Sequence, residues 1–282
     1  MSRVRRLAGA VVVAGALGAG LSGCALFDAA PVRAAPATPA AREGAGPLDV
    51  RATPLAVAVE DDWVVRVVVG DVSCTGALID DARVLTAHHC VSERDRHGEY
   101  VAQDVAPASV RIELGGAHLP WGEVGVRAIV APPCGHAGGT GDIAILVLDR
   151  ELAGLDGPPV RLGSPPVVGE LVEPLGFGRC ALSHDGIRRK ARVGGRIASV
   201  HRTRVRVPAS ICPGDSGGPV LDEAGGEIVG IVSASVMDGD ERTRALSELT
   251  RLDRWRPVFA ASQLVADGAS PAELPPIAGC GG

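Results

Sequence analysis

The octapeptide Cys212-Pro-Gly-Asp-Ser-Gly-Gly-Pro219, CPGDSGGP, sets three glycines and two prolines around one aspartate and one serine. Glycine admits positive φ and lets another group approach the main chain closely, and proline fixes the path on either side. A loop of this composition presents Ser216 and the neighbouring N–H groups outward. Two readings compete. Gly, Pro, Asp and Ser are the ordinary residues of a tight turn between strands; the same residues also suit a nucleophile loop whose main chain takes part in the chemistry. A base and an acid elsewhere in the chain decide between them.

Outward from this loop the sequence is a succession of short apolar runs separated by Gly, Pro and Asp. WVVRVVV from Trp63, GALI, RVLTA, SVRIEL, VRAIV and DIAILVL fill the first half, and ELVEPLGFG, KARVGGRIASV, TRVRVPA and GEIVGIVSAS the second. They are rich in β-branched residues, and their close spacing predicts an all-β sandwich or barrel. Helical stretches are expected only within LSELTRLDRWRPVFAASQL, with Pro257 interrupting the run. There is no short tandem repeat. With 46% hydrophobic but only 2% aromatic residues, Val, Leu, Ile and Ala must fill the core of one large domain or two small ones. A formal charge of −5 and scattered arginines give no basic footprint and disfavour nucleic-acid binding.

Within these runs, Leu85-Thr86-Ala87-His88-His89-Cys90 ends an apolar strand on two histidines, and Gly141-Asp142-Ile143-Ala144-Ile145-Leu146 opens another on an acid. Each alone reads as structural, a buried histidine or a turn aspartate. Together with GDSGGP they resemble the chymotrypsin/trypsin family of serine proteases, in which TAAHC, DIAL and GDSGGP segments follow in that order. Here TAHHC, GDIAIL and GDSGGP do so. Further segments resemble the family's: CTGALIDDARVLTAHHC its strand pair before the histidine, LGFG at Leu175 to Gly178 its GWG turn, and GIVS at Gly230 to Ser233 its substrate-binding strand. The resemblance covers roughly Trp63 to Gln263.

The resemblance implies two packed six-stranded antiparallel β-barrels of the chymotrypsin type with a C-terminal helix, acting on polypeptides with no cofactor. Counting back from Cys90, it makes His89 the general base, and His88 falls where the family has a second alanine. Asp142 becomes the orienting acid and Ser216 the nucleophile. A serine hydroxyl is a weak nucleophile, so a neutral imidazole must take its proton, and an acid must hold that imidazole in the right tautomer. The N–H groups of Gly214 and Ser216 would hold the oxyanion, which accounts for the small residues around the serine. The order His, Asp, Ser is not that of the α/β-hydrolase esterases.

The chain also departs from the family. Family zymogens are cut to expose Ile-Val-Gly-Gly, whose amine pairs with the acid beside the nucleophile, here Asp215. PLDVRATPLAVAVEDDW occupies that region instead. Either Asp215 has another partner, such as a side chain, or an unfamiliar cut activates the enzyme, or the domain is a catalytically silent binder. At the base of the primary specificity pocket stands Ser210 rather than an acid. Ala234 replaces the usual aromatic and Ser235 the usual glycine, next to Ser233 on the substrate strand. An uncharged base predicts a small to medium apolar residue before the scissile bond, unless Asp238 or Asp240 reaches inward.

At the N-terminus, Arg3, Arg5 and Arg6 precede an Ala/Gly/Val-rich run from Leu7 to Leu21, followed by Leu21-Ser22-Gly23-Cys24. A basic n-region, a short apolar h-region and small residues describe a secretory signal. The placement of Cys24 resembles the lipobox of bacterial lipoproteins, with an ordinary signal peptide cut nearby as the other reading. Loss of 1–23 would remove three arginines and make the charge more negative. The expected organisation is signal peptide 1–23, Ala/Pro-rich tether 24–56, protease domain 57–264 and C-terminal tail 265–282. Such a protein is exported to the cell envelope and held on a bacterial membrane by a lipid on Cys24, facing the periplasm or exterior.

Export makes disulfides the default for Cys74, Cys90, Cys134, Cys180, Cys212 and Cys280. The absence of a C-x-x-C pair argues against a zinc site. By the resemblance, Cys74 pairs with Cys90. The other four cysteines allow three connectivities. Since the family's GWG turn lies near its oxyanion loop, Cys180–Cys212 is favoured, which leaves Cys134–Cys280.

Overall fold

A computed structural model describes residues 61–116, 120–136, 140–179, 187–224, 226–236 and 246–277, with backbone alone for 235–236. Cys24, Cys180, Cys280, the expected signal and tether segments, and Asp238 and Asp240 lie outside the described residues.

The Val-rich runs of the first half become strands β1 (Val64–Val69), β2 (Val72–Asp80) and β3 (Arg83–Thr86), a side hairpin β4 (Ser92–Arg94) with β5 (Tyr100–Asp104), and then β6 (Val110–Leu114), β7 (Gly122–Val130) and β8 (Ala144–Leu148). Six of them close a barrel in the order β1-β2-β3-β8-β7-β6, all neighbours antiparallel, with β1 pairing β6 to complete the ring. Every residue of β8 is buried, because one face fills the barrel and the other carries the C-terminal helix α1 (Arg256–Ala266). Each fully buried Ile or Leu there, such as Ile145 and Leu146, contributes about 1.5–3 kcal/mol.

The second half holds β9 (Leu171–Gly176), β10 (Lys190–Ala191), β11 (Gly195–Arg196), β12 (Ser199–Val200), β13 (Arg204–Val207), β14 (Pro219–Asp222), β15 (Ile228–Val236) and β16 (Leu246–Arg251). The sheet runs β9-β14-β15-β16-β13-β12, and β11 returns to pair with β9. One continuous segment, 195–200, therefore joins both edges. Ile197 N–H donates to Glu170 O and Ala198 N–H to Arg206 O, each at 2.8 Å. Its core is small and aliphatic, with Val172, Ile197, Val205, Val207, Val220, Val229, Val232 and Leu249 packed together. The architecture is the all-β, chymotrypsin-type fold with a C-terminal helix.

One expectation is corrected. The LSELTR segment is strand β16, paired on both sides, and α1 starts only at Arg256. Pro257 lies in the first turn of the helix, where a missing N–H costs nothing, so it opens the helix rather than interrupting one. At the other end Arg127 Nη2 donates to Val265 O (2.8 Å) and Ala266 O (2.9 Å), satisfying terminal carbonyls and tying α1 to β7.

Candidate active site

The candidate residues meet where the two halves of the fold face each other. A short 3-10 turn, His88–Cys90, follows β3 and places both histidines, and the Cys74–Cys90 disulfide anchors it to β2 with a Cα separation of 6.1 Å. Cys134 and Cys212 are disulfide-bonded as well; Cys180 and Cys280, the partners assigned to them from sequence, lie outside the described residues. Asp142, buried just before β8, receives His89 at both of its oxygens. His89 Nδ1 lies 2.9 Å from Oδ2 and 3.1 Å from Oδ1, and the His89 N–H donates to Oδ1 at 3.0 Å. Ser233 Oγ from β15 donates to Oδ2 at 2.5 Å, and Thr250 Oγ1 from β16 donates to the Asp142 carbonyl at 2.9 Å. The second half of the chain thus holds the acid that belongs to the first.

Burial alone would raise the Asp142 pKa. The His89 charge, the two His89 donors and the Ser233 hydroxyl outweigh it and bring the group from 3.8 down to about 2. With the folded value depressed, the carboxylate contributes stability above its unfolded pKa and loses that contribution as pH falls through about 2. Ser233→Ala removes one of the groups that lower it. It is expected to cost about 1.5–3 kcal/mol at pH 7, shrinking as pH falls from about 4 toward 2. Urea unfolding across that range checks this; an equal loss at both ends would contradict it.

The CPGDSGGP loop reaches the turn that carries His89, with Ser216 O 3.6 Å from Cys90 Sγ. Thr75, on β2, ties it to the first barrel: its N–H donates to Ser216 O at 2.8 Å and its Oγ1 to Gly214 O at 2.7 Å. Gly214 has φ +100°, the left-handed region that favours glycine. Among the described residues, neither the Gly214 nor the Ser216 N–H donates to a protein acceptor, so both remain for a ligand oxygen. No hydrogen bond links Ser216 Oγ to the His89 ring, whose Nε2 lies 3.8 Å from Cys90 Sγ.

Asp215 is fully buried beneath this loop. Its Oδ1 accepts from the Gly178 N–H and from Arg192 Nη2, both at 2.8 Å, and its Oδ2 from the Cys212 N–H at 2.8 Å. A Cβ on Gly178 would stand 2.5 Å from the Asp215 Cγ. Gly178→Ala is therefore expected to eject the carboxylate from its buried pair, costing about 3–5 kcal/mol and lowering kcat/KM on the order of 10²-fold through the displaced loop. Thermal unfolding and steady-state kinetics check it, and a variant within 1 kcal/mol and threefold of the parent would contradict it.

A cleft of about 340 Å³ opens beside the acid and base, bounded by His89, Tyr100, His136, Ser233, Ala234, Arg204 and Glu248. Tyr100 packs edge-on against His89 at 5.4 Å and His136 at 5.3 Å. Burial, ahead of the opposing pull of Asp142, lowers the His136 pKa. His88 is wholly buried, with Nε2 2.6 Å from Asp104 Oδ1. Of the residues assigned to specificity, Ala234 is exposed on the cleft, whereas the Ser233 hydroxyl is committed to Asp142. Ser210 is exposed and outside this cleft; Ser235 pairs with Ser247 through the backbone. Sequence reasoning missed Thr75, Arg192 and Thr250, which act through single hydrogen bonds that leave no spacing pattern.

The sequence profile of the trypsin family matches residues 55–257. No curated protein matches the chain. Among solved structures, the chain is similar to a Glu endopeptidase in complex with MPD, with 16% identity, TM-score 0.58, and coverage of 73% of this chain and 91% of that one. It is also similar to neuropsin, a serine protease expressed in the limbic system of mouse brain (20%, 0.56, 72% and 95%). A third is the scabies mite inactivated protease paralogue S-D1 (15%, 0.57, 74% and 94%). At these identities the likeness establishes the fold.

Proposed function

Because the chain belongs to the trypsin family of serine proteases, we propose that it is an endopeptidase that cleaves peptide bonds through an acyl-enzyme on Ser216. The observation that carries this reading is the His89 ring bound through Nδ1 to buried Asp142, which leaves Nε2 as the basic nitrogen. Ser216 Oγ attacks the substrate carbonyl carbon and its proton passes to Nε2. The oxyanion accepts hydrogen bonds from the Gly214 and Ser216 N–H groups. The imidazolium then protonates the departing amine, and water repeats the cycle to release the acid. Asp142 stays ionised and stabilises the imidazolium. The uncharged Ser210 favours a small to medium apolar residue before the scissile bond.

We further propose that the enzyme works outside the cytoplasm. The Cys74–Cys90 bond, with Cys134 and Cys212 also disulfide-bonded, fits an oxidising compartment, and 1–23 has the form of a lipoprotein signal. Cys24 would carry the lipid and 24–56 would tether the protease domain 57–264 and its tail 265–282. Among the described residues, no helix is long and apolar enough to cross a membrane.

The missing bond between Ser216 Oγ and His89 favours one second reading, a protease-shaped binding domain without activity. A fluorophosphonate probe separates the two. The intact chain is expected to form an adduct that mass spectrometry maps to Ser216. A folded chain that takes up no probe at that residue, either intact or after limited proteolysis between Pro47 and Trp63, would sink the peptidase reading and leave the binding one.

A further inference from the structure

Arg192 reaches the fully buried Asp215 from an unexpected direction. Strand β10 pairs with the end of β9, Lys190 opposite Gly176 and Ala191 opposite Leu175, and the Arg192 N–H donates to Pro174 O at 2.8 Å. Gly176 and Gly178 leave room for the buried carboxylate, since a Cβ added at either would overlap Asp215. Arg192 Nη2 makes both contacts, 2.8 Å to Asp215 Oδ1 and 2.5 Å to Gly178 O. The guanidinium is 8% exposed and the carboxylate 0%. A buried carboxylate needs a paired cation and satisfied oxygens, and among the described residues the donors to the Asp215 carboxylate are Gly178, Arg192 and Cys212, all within 176–215.

We infer that Arg192 is a built-in activating cation: it fills the place of the amine that a zymogen would have to release by cleavage, so the oxyanion loop is ordered in the uncut chain. The inference rests on the peptidase reading and specifies its regulation. With Asp215 held through Arg192, Gly178 and Cys212, the turn from Cys212 to Gly217 is fixed and the Gly214 and Ser216 N–H groups point to one place. No new N-terminus is needed. Since one nitrogen makes both contacts, a compact lysine ammonium supplies much of what the guanidinium does.

The test uses the full, uncut chain and two readouts. Arg192→Ala is expected to lower kcat/KM on the order of 100-fold and to speed amide hydrogen exchange of the 212–217 turn at least about tenfold, while β1, β2 and β8 exchange as before. Arg192→Lys should recover most of both. Unchanged exchange in Arg192→Ala, or activity that appears only after a cut between Pro47 and Trp63, would overturn the inference. If Arg192→Ala unfolds outright, the lysine variant and the intact mass of the active parent decide. A parent with a protected turn but no Ser216 adduct, intact or cut, would sink the peptidase reading and the activating role with it, and leave Arg192 only as the group that orders the turn.

The cleft beside Ala234 supplies a second, independent observation. Ala234 faces Glu248 across β15 and β16, and its small side chain leaves that part of the cleft open. Glu248 accepts from Arg204 Nη1 and from Arg206 Nε, each at 2.8 Å. Two guanidinium groups on one carboxylate leave a surplus positive charge. The Arg204 side chain is 30% exposed, and its Nε and Nη2 have no acceptor among the described residues. The other acid on the cleft, Asp142, is buried, and its oxygens are taken up by His89 and the Ser233 hydroxyl.

We propose that this cleft accepts an acidic side chain of the substrate, upstream of the scissile bond, against Arg204. The proposal rests on substrate pairing along β15. Two peptides differing only by Glu or Gln at that upstream position are expected to differ roughly fivefold in kcat/KM, and to bind the Ser216→Ala chain in the same ratio. Arg204→Ala should abolish the ratio, Glu248→Gln should enlarge it, and added salt should compress it. Equal handling of the two peptides, or a ratio untouched by Arg204→Ala, would overturn it. Binding discrimination without hydrolysis by the parent would instead sink the peptidase reading.

Discussion

Ser216→Ala is expected to lower kcat by about 10⁶-fold, and His89→Ala by about as much, with the double variant hardly slower than either. The two side chains act as one unit: without Oγ there is nothing to acylate, and without Nε2 nothing takes the proton. Hydrolysis on the order of 10³-fold above the uncatalysed rate should survive, because the Gly214 and Ser216 N–H groups belong to the backbone and neither substitution removes them. The fold should not notice the change at Ser216. Its Oγ makes no hydrogen bond among the described residues, so the stability cost is expected within about 0.5 kcal/mol. Initial rates on a peptide substrate, with urea unfolding alongside, check both halves. Single variants within tenfold of the parent would remove Ser216 from the chemistry.

The candidate site was legible because its three residues follow the family's types and chain order, and because a disulfide loop pins one of them: counting back from Cys90 gives His89. The strands were legible from β-branched runs between Gly and Pro. What escaped has a common physical character. Arg192 lies 23 residues from Asp215, in a chain with many arginines, and only the pairing of β10 on β9 aims it. Ser233 was read as part of the substrate strand, yet its hydroxyl turns to Asp142, a choice made by the rotamer. Segment 195–200 joins the sheet edges with two-residue strands, too short for any alternation to show. Pro257 misled because the same residue breaks a helix interior and opens a helix, and only the position of Arg256 distinguishes the two.

Asp142→Asn is expected to lower kcat/KM by about 10⁴-fold with the fold retained. Both carboxylate oxygens are acceptors here: Oδ1 takes the His89 N–H, and Oδ2 takes His89 Nδ1 and the Ser233 hydroxyl. An asparagine must replace one of them by a donor. With its NH₂ at the Oδ1 position it faces the backbone N–H of His89, and two buried donors opposed cost about 1–3 kcal/mol. With its NH₂ at the Oδ2 position it donates to Nδ1, and the Ser233 hydroxyl can rotate to accept. That second arrangement wins, and it forces the His89 proton onto Nε2, where the ring can no longer take a proton from Ser216. Mild acid does not imitate the substitution. With Asp142 held at about 2, the parent keeps its acceptor down to about pH 3, so activity lost above that pH belongs to another group. Rates at pH 7 and a fluorophosphonate time course would show the predicted fall. A loss below about 100-fold would mean that something other than Asp142 sets the His89 tautomer.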